Sequence, residues 1–328
     1  MCRPLHCTLY EDVPHAVMLN ATDPLCNGDL VGFHDLLFAE RQFQQNIHAR
    51  GCVVHACTHP CLTGICIMIR HFSHVVGVVL AGLLLSSNAL AQDKSASVVT
   101  VAAASDLKFA LEELAAQFQK QSGHKVTLVF GSSGQFTTQL LQGAPFDVFM
   151  SADESLVFKL ADAGKTKDRG RVYALGRIGV FVPHSSPLKA DGSLKDLAAA
   201  LDDGRLQKLA IANPQHAPYG DRARQALVHA GIWSQAQKKL VMGENIAQAA
   251  QFTISGSAQA GIIAQSLALA PALFDKGRFA LIDAAAHDPL IQRMVLLKSA
   301  SPAAQLFYDY LGSKPAQAVL MRYGFQMP

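Results

Sequence analysis

The chain has 328 residues, beyond the size at which one hydrophobic core usually stops growing, so two lobes are expected. Half of its residues are hydrophobic, 16% are charged and the formal net charge is +3. That composition excludes a disordered polymer and gives no electrostatic case for a nucleic-acid partner.

All seven cysteines fall at or before Cys66, which excludes disulfides and thiol catalysis from everything beyond it. Cys52, Cys57, Cys61 and Cys66, with His55 and His59 between them, raise the reading of a metal module, but the spacings miss the C-x2-C pattern of zinc sites. The stretch also lacks clear hydrophobic periodicity. The simpler account makes residues 1–67 an upstream extension without stable order, with translation starting at Met68.

From Met68 a short basic lead runs into the apolar stretch Val75–Leu85, followed by Asn88-Ala-Leu-Ala91 with small residues at Ala89 and Ala91. This is the order of a secretory signal, residues 68–91. The apolar run is short for a membrane span, and the rival reading is an uncleaved anchor. No cysteine sits at the cleavage site, which argues against a lipoprotein. The expected product is an exported, periplasmic chain beginning at residue 92.

Beyond that point strand and helix signals alternate. Ser97–Ala103 is β-branched and apolar, a buried strand. Asp106–Gln121 carries Leu107, Ala110, Leu111, Leu114, Ala115 and Phe118 at helical spacing, and Gly123 stops it. Lys125–Phe130 is a strand, Gln135–Gln142 a helix, Asp147–Met150 a strand and Asp153–Ala163 a helix. The pattern then restarts. Val172–Val182 reads as one long strand, Leu194–Leu201 as a helix, Leu209–Ala212 as a strand and Gly220–Ala230 as a helix. Lys239–Met242, Asn245–Ser255 and Gly261–Ala264 continue it, and Phe279–Ile282 and Met294–Lys298 are further strands. Helices Pro302–Leu311 and Pro315–Tyr323 close the chain. The expected fold class is α/β with two lobes, each a mostly parallel sheet flanked by helices: residues 92–178 in lobe I, 179–287 in lobe II and 288–328 returning to lobe I.

In open α/β sheets ligands lie beyond the carboxyl ends of the strands. The turns there carry Ala102-Ala-Ala-Ser105-Asp106, Gly131-Ser-Ser-Gly134, Ser151-Ala-Asp153, Asn213-Pro-Gln-His-Ala-Pro-Tyr-Gly220 and Gly243-Glu-Asn-Ile246. They offer hydroxyls and helix N-terminal amides, the makings of an anion site. None carries the Arg or Lys that would add a second buried charge. Taken singly, each turn has a plain reading: Ser105 and Ser133 as ordinary N-caps, Gly131 and Gly134 as turn residues, Asp147 and Asp153 as a strand-edge and an N-cap residue, His216 as a solvated loop residue. Hydrolase, zinc-protease and P-loop motifs are missing, and so is an aromatic platform. No catalytic residue and no cofactor is expected.

At these same turns the sequence resembles the periplasmic molybdate-binding proteins of ABC importers. The resembling segments run in order: Val101–Ser105, Phe130–Ser133, Gly143-Ala-Pro-Phe-Asp-Val-Phe-Met-Ser-Ala-Asp153, Asn213–Gly220, Gly243–Ile246, and Phe307–Leu311 with Arg322–Phe325. The resemblance implies a type II periplasmic-binding fold that closes two hinged lobes on a tetrahedral dianion, molybdate and also tungstate. A monomer would then deliver the anion to a membrane permease. Carried over by position, Ser105 and Ser133 give hydroxyl and backbone donors from lobe I, Ala152 lines the same wall, and Tyr219 and Ile246 give backbone N–H groups from lobe II. Two positions depart. Some relatives supply a tyrosine hydroxyl where this chain ends Gly261-Ile-Ile-Ala264. Relatives with Asn at position 106 can donate to the anion, whereas Asp106 points away and caps its helix, or takes up a proton. The alternatives are a binding protein for another oxyanion (sulfate, phosphate) or an organic acid, and a secreted α/β hydrolase, for which no serine shows a partner base in sequence.

Overall fold

The computed structural model describes residues 98–328. The expected extension and export signal, residues 1–67 and 68–91, lie outside the described residues.

Two five-stranded sheets form two lobes. The first contains β1 (Val98–Ala104), β2 (Lys125–Gly131), β3 (Val148–Ser151), β4 (Arg171–Gly176) and β10 (Leu290–Leu296) in the order β2-β1-β3-β10-β4. The second contains β5 (Ile178–Pro183), β6 (Leu209–Ala212), β7 (Leu240–Gly243), β8 (Ala260–Ala264) and β9 (Gly277–Leu281) in the order β7-β6-β8-β5-β9. The pairings around β1 and β6 are parallel. In each sheet one strand is antiparallel to both neighbours: β10 in the first and β5 in the second. These two are the strands by which the chain enters each sheet from the other.

The crossing corrects one expectation. Val172–Val182 is not a single strand: β4 ends at Gly176, Arg177 turns the chain, and β5 begins at Ile178 in the other sheet. Both halves are apolar, so hydrophobic pattern cannot separate them. Three-dimensional packing does. A side chain at Gly176 would collide with the Tyr219 hydroxyl, and the Arg177 carbonyl accepts from Gln265 N–H at 2.9 Å.

Alternation along β1 distributes its side chains to two faces. Val99, Val101 and Ala103 pack with Leu111, Leu114 and Phe118 of helix α1 (Lys108–Ser122) and with Phe307. Ala102 faces the other way, onto Phe136 and Leu140 of α2 (Ser133–Leu141), Val157 and Leu160 of α3 (Glu154–Asp162), and Phe149. In the second lobe α4 (Lys195–Asp202), α5 (Pro218–His229) and α6 (Ile246–Ile254) cover the sheet through Leu197, Ala223, Leu227 and Ala249. The last helices, α7 (Pro302–Leu311) and α8 (Lys314–Arg322), return to the first lobe, where Phe307, Leu311, Val319 and Leu320 join its core.

Asp147 ties this return to the sheet. Its carboxylate accepts from Thr100 N–H at 2.8 Å, the Thr100 hydroxyl at 3.0 Å and Ser301 N–H at 3.0 Å. Its own N–H donates to the Thr100 carbonyl and its carbonyl accepts from Leu297 N–H, both at 2.9 Å. Hydrogen bonds to a charged group are the stronger kind. Asp147→Ala is therefore expected to lower the unfolding free energy by about 2–3 kcal/mol, read as a reduced midpoint of urea denaturation with unchanged slope.

Candidate anion-binding site

Helix starts from both lobes meet at one small cavity, lined by Ala104, Ser105, Asp106, Gly131, Ser132, Ser133, Ala152, Ala217, Pro218, Tyr219, Asn245 and Ile246. The structure brings together all five residues that the resemblance carried over, Ser105, Ser133, Ala152, Tyr219 and Ile246, each no more than 3% exposed. No Lys or Arg lines the cavity.

Ser105 and Ser133 are not N-caps. The caps are Ala104 and Ser132, and neither makes a side-chain capping bond; Ser105 opens a 3-10 turn (Ser105–Leu107) and Ser133 is the first residue of α2. Both hydroxyls instead accept from backbone amides. Ala152 N–H donates to Ser133 Oγ at 3.0 Å, and Ala247 N–H, from the opposite lobe, donates to Ser105 Oγ at 3.1 Å. A hydroxyl that accepts one bond keeps its own proton to donate. Around them the first-turn amides of Ser133, Tyr219 and Ile246 have no acceptor within their helices. Pro218 brings no N–H to the start of α5, and the Asn245 side chain takes Gln248 N–H at 3.1 Å, leaving the Ile246 amide outside that cap. The result is a ring of uncharged donors with positive helix ends behind them.

Asp106 behaves differently from a cap. The residue is 1% exposed. Oδ2 accepts from the Tyr219 hydroxyl at 2.9 Å and from Gln292 Nε2 at 2.7 Å, and Gln292 Nε2 also donates to Tyr219 Oη at 2.9 Å. The Asp106 carbonyl accepts from the Ser266 hydroxyl at 2.9 Å. Burial pushes the Asp106 pKa up to about 6, against the pull of the Gln292 and Tyr219 hydrogen bonds. Burial and the neighbouring carboxylate together push the Tyr219 phenol well above its ordinary value. With Tyr219 Oη committed to Asp106, that phenol does not stand in for the hydroxyl missing at Ala264. The sequence did carry one sign of the network: Gln292 interrupts an apolar strand, and a polar side chain on a buried face needs a partner.

The lobes are latched beside the cavity. Ser132 Oγ donates to the His216 carbonyl, Gly134 N–H donates to the same carbonyl at 3.0 Å, and His216 Nδ1 lies 3.1 Å from Ser132 Oγ. Gln135 Nε2 donates to Glu244 Oε2 at 2.7 Å, with His216 Nε2 3.4 Å from the same oxygen. Arg222 of α5 reaches Asp153, the N-cap of α3, at 2.8 Å. His216 is thus a half-buried cross-lobe residue and not a solvated loop residue. Proline and histidine in a loop gave no hint of that, because the partners lie 84 residues away.

The sequence profile of the bacterial extracellular solute-binding proteins matches residues 99–326. The molybdate-binding protein ModA of Azotobacter vinelandii is 35% identical over 74% of this chain and 94% of its own length. That of Rhodobacter capsulatus is 33% identical over 72% of this chain and 91% of its own. The solved structure of the Azotobacter vinelandii periplasmic molybdate-binding protein covers 70% of this chain and 99% of its own at 31% identity, with a TM-score of 0.64. In sequence and in architecture alike, the chain belongs to the bacterial extracellular solute-binding proteins.

Proposed function

We propose that this protein captures molybdate in the periplasm and hands it to the permease of an ABC importer, taking tungstate by the same chemistry. The observation that carries the reading is the ring of neutral donors from both lobes around a cavity that no cation lines. In this reading the hydroxyls of Ser105 and Ser133 and the first-turn amides of Ser105, Ser133, Tyr219 and Ile246 replace the hydration of a tetrahedral dianion. Ala152 acts indirectly, because its N–H fixes the Ser133 hydroxyl. Hinge closure brings the lobe II donors to the anion. The Ser132–His216 and Gln135–Glu244 contacts hold that state. Sulfate, with shorter bonds to oxygen, leaves some donors without an acceptor, and an unmade bond in a buried site is costly. The protein acts by binding and release, as a monomer, without a cofactor.

One row of residues favours a second reading. Ser132, His216 and Glu244 stand in the order nucleophile, imidazole, carboxylate, the logic of an acyl-transfer triad. The protons run the wrong way. The Ser132 hydroxyl has one proton and gives it to the His216 carbonyl, so it is not donated to the imidazole as a nucleophile–base pair requires. The row works as a latch.

Addition of molybdate to the purified protein is expected to raise its melting temperature, and sulfate to leave it unchanged; equal stabilisation by sulfate or phosphate contradicts the assignment. Ser105→Ala and Ser133→Ala should each weaken molybdate binding by roughly 1.5–3 kcal/mol in calorimetric titration, the worth of a hydrogen bond to a charged group. A methyl group at Gly134 would collide with the His216 carbonyl in the closed state. Gly134→Ala is therefore expected to weaken binding by about 1–3 kcal/mol, with the circular dichroism of the free protein unchanged.

A further inference from the structure

Resting on the reading above, we propose that Asp106 is a specificity-determining residue that makes capture of a dianion conditional on a proton, the closed site holding one proton on this carboxyl group for each anion it takes. Three observations meet here. Asp106 lines the same cavity as Ser105 and Ser133. Its Oδ2 is occupied by Tyr219 and Gln292. Its Oδ1 is buried with no hydrogen-bond partner.

The groups that face Asp106 carry no compensating charge. From α5 comes the Tyr219 phenol, from β10 the Gln292 amide, and from the short helix Gln265–Ala268 the Ser266 hydroxyl, bound to the Asp106 carbonyl. The Tyr173 phenol of β4 feels the Asp106 charge and donates to the Ser151 carbonyl at 3.4 Å. α6 contributes Ile246, with Asn245 as its cap. The cations on neighbouring elements are engaged elsewhere: Arg177 with the Ile282 carbonyl, Arg222 with Asp153 and Asp221, Arg293 with Glu154, and exposed Lys108 over the Phe109 ring.

A dianion drawn into this cavity meets a carboxylate that neutral hydrogen-bond donors stabilise but no cation offsets, in surroundings that screen poorly. Two like charges sharing one such site favour protonation of the weaker acid. Burial has already moved Asp106 to about 6, and the charge of a dianion beside it carries the group far enough above that to hold its proton through pH 7.5. The proton comes from solvent and forms an O–H bond on Asp106; no bond of the anion is broken. Protonation turns a repelling wall into one that can donate.

The test is calorimetric titration of the purified protein with sodium molybdate at pH 7.5 in buffers of different ionisation enthalpy. The observed heat is expected to scale with buffer enthalpy at about one proton taken up per anion, and the affinity to fall about tenfold per unit between pH 7 and 8. Asp106→Asn should abolish both dependences. The wild-type series decides the matter even if that variant does not fold. Molybdate binding with no buffer dependence and a flat pH profile overturns the inference while leaving the molybdate reading intact. No molybdate heat in any buffer overturns the molybdate reading and this inference with it.

Discussion

A doubly charged oxyanion surrenders a full hydration shell when two lobes shut over it, and the protein must return hydrogen bonds of equal quality or the anion stays in water. Charged side chains could do so, but each would itself need desolvation, and an empty site would then hold an uncompensated buried cation. Helix starts avoid that problem. Their first-turn amides are unpartnered by construction, they point along the helix axis, and the aligned peptide dipoles behind them favour negative charge. Everything else in the molecule serves to bring several such ends to one place. Serine in the first helical position adds a hydroxyl whose lone pair is held by a backbone amide and whose proton remains free.

The two-sheet architecture is what makes convergence possible. Parallel strands put every β-to-α turn at the same sheet edge, and the exchange of β5 and β10 between sheets turns those two edges toward each other. Crossings by single extended segments, at Gly176-Arg177 and again before Leu290, leave two compact lobes linked by little backbone. Such links absorb a hinge motion without breaking either core. Asp106, Tyr219, Gln292 and Ser266 gather beside this hinge, so the same buried network that borders the cavity also ties turns from both lobes together.

Much of this was legible in the sequence. Apolar period-2 and period-3.6 patterns located β1, α1 and the strands and helices that follow, and Gly123, in the left-handed conformation as the cap of α1, marked its end. The turns at the strand ends were legible from local pattern, but the choice of five residues within them came from the resemblance to the molybdate-binding proteins. Three things were not. The change of sheet at Arg177 was hidden because a strand looks alike in either sheet. The latch role of His216 depends on Ser132 and Gly134, far away in the chain, and no local pattern encodes that pairing. For Asp106 the sequence left two roles open, a helix cap or a carboxyl that takes up a proton; its partners come from β10 and α5, and only the assembled fold shows a carboxylate surrounded by neutral donors.

The most direct measurement is a crystal structure of the protein grown with molybdate, using the anomalous scattering of molybdenum to place the anion. The account predicts a single strong peak in the cavity between the lobes, its oxygens within hydrogen-bonding distance of the Ser105 and Ser133 hydroxyls and of the Tyr219 and Ile246 amides. A peak elsewhere, or an anion held chiefly by lysine and arginine side chains, would contradict it.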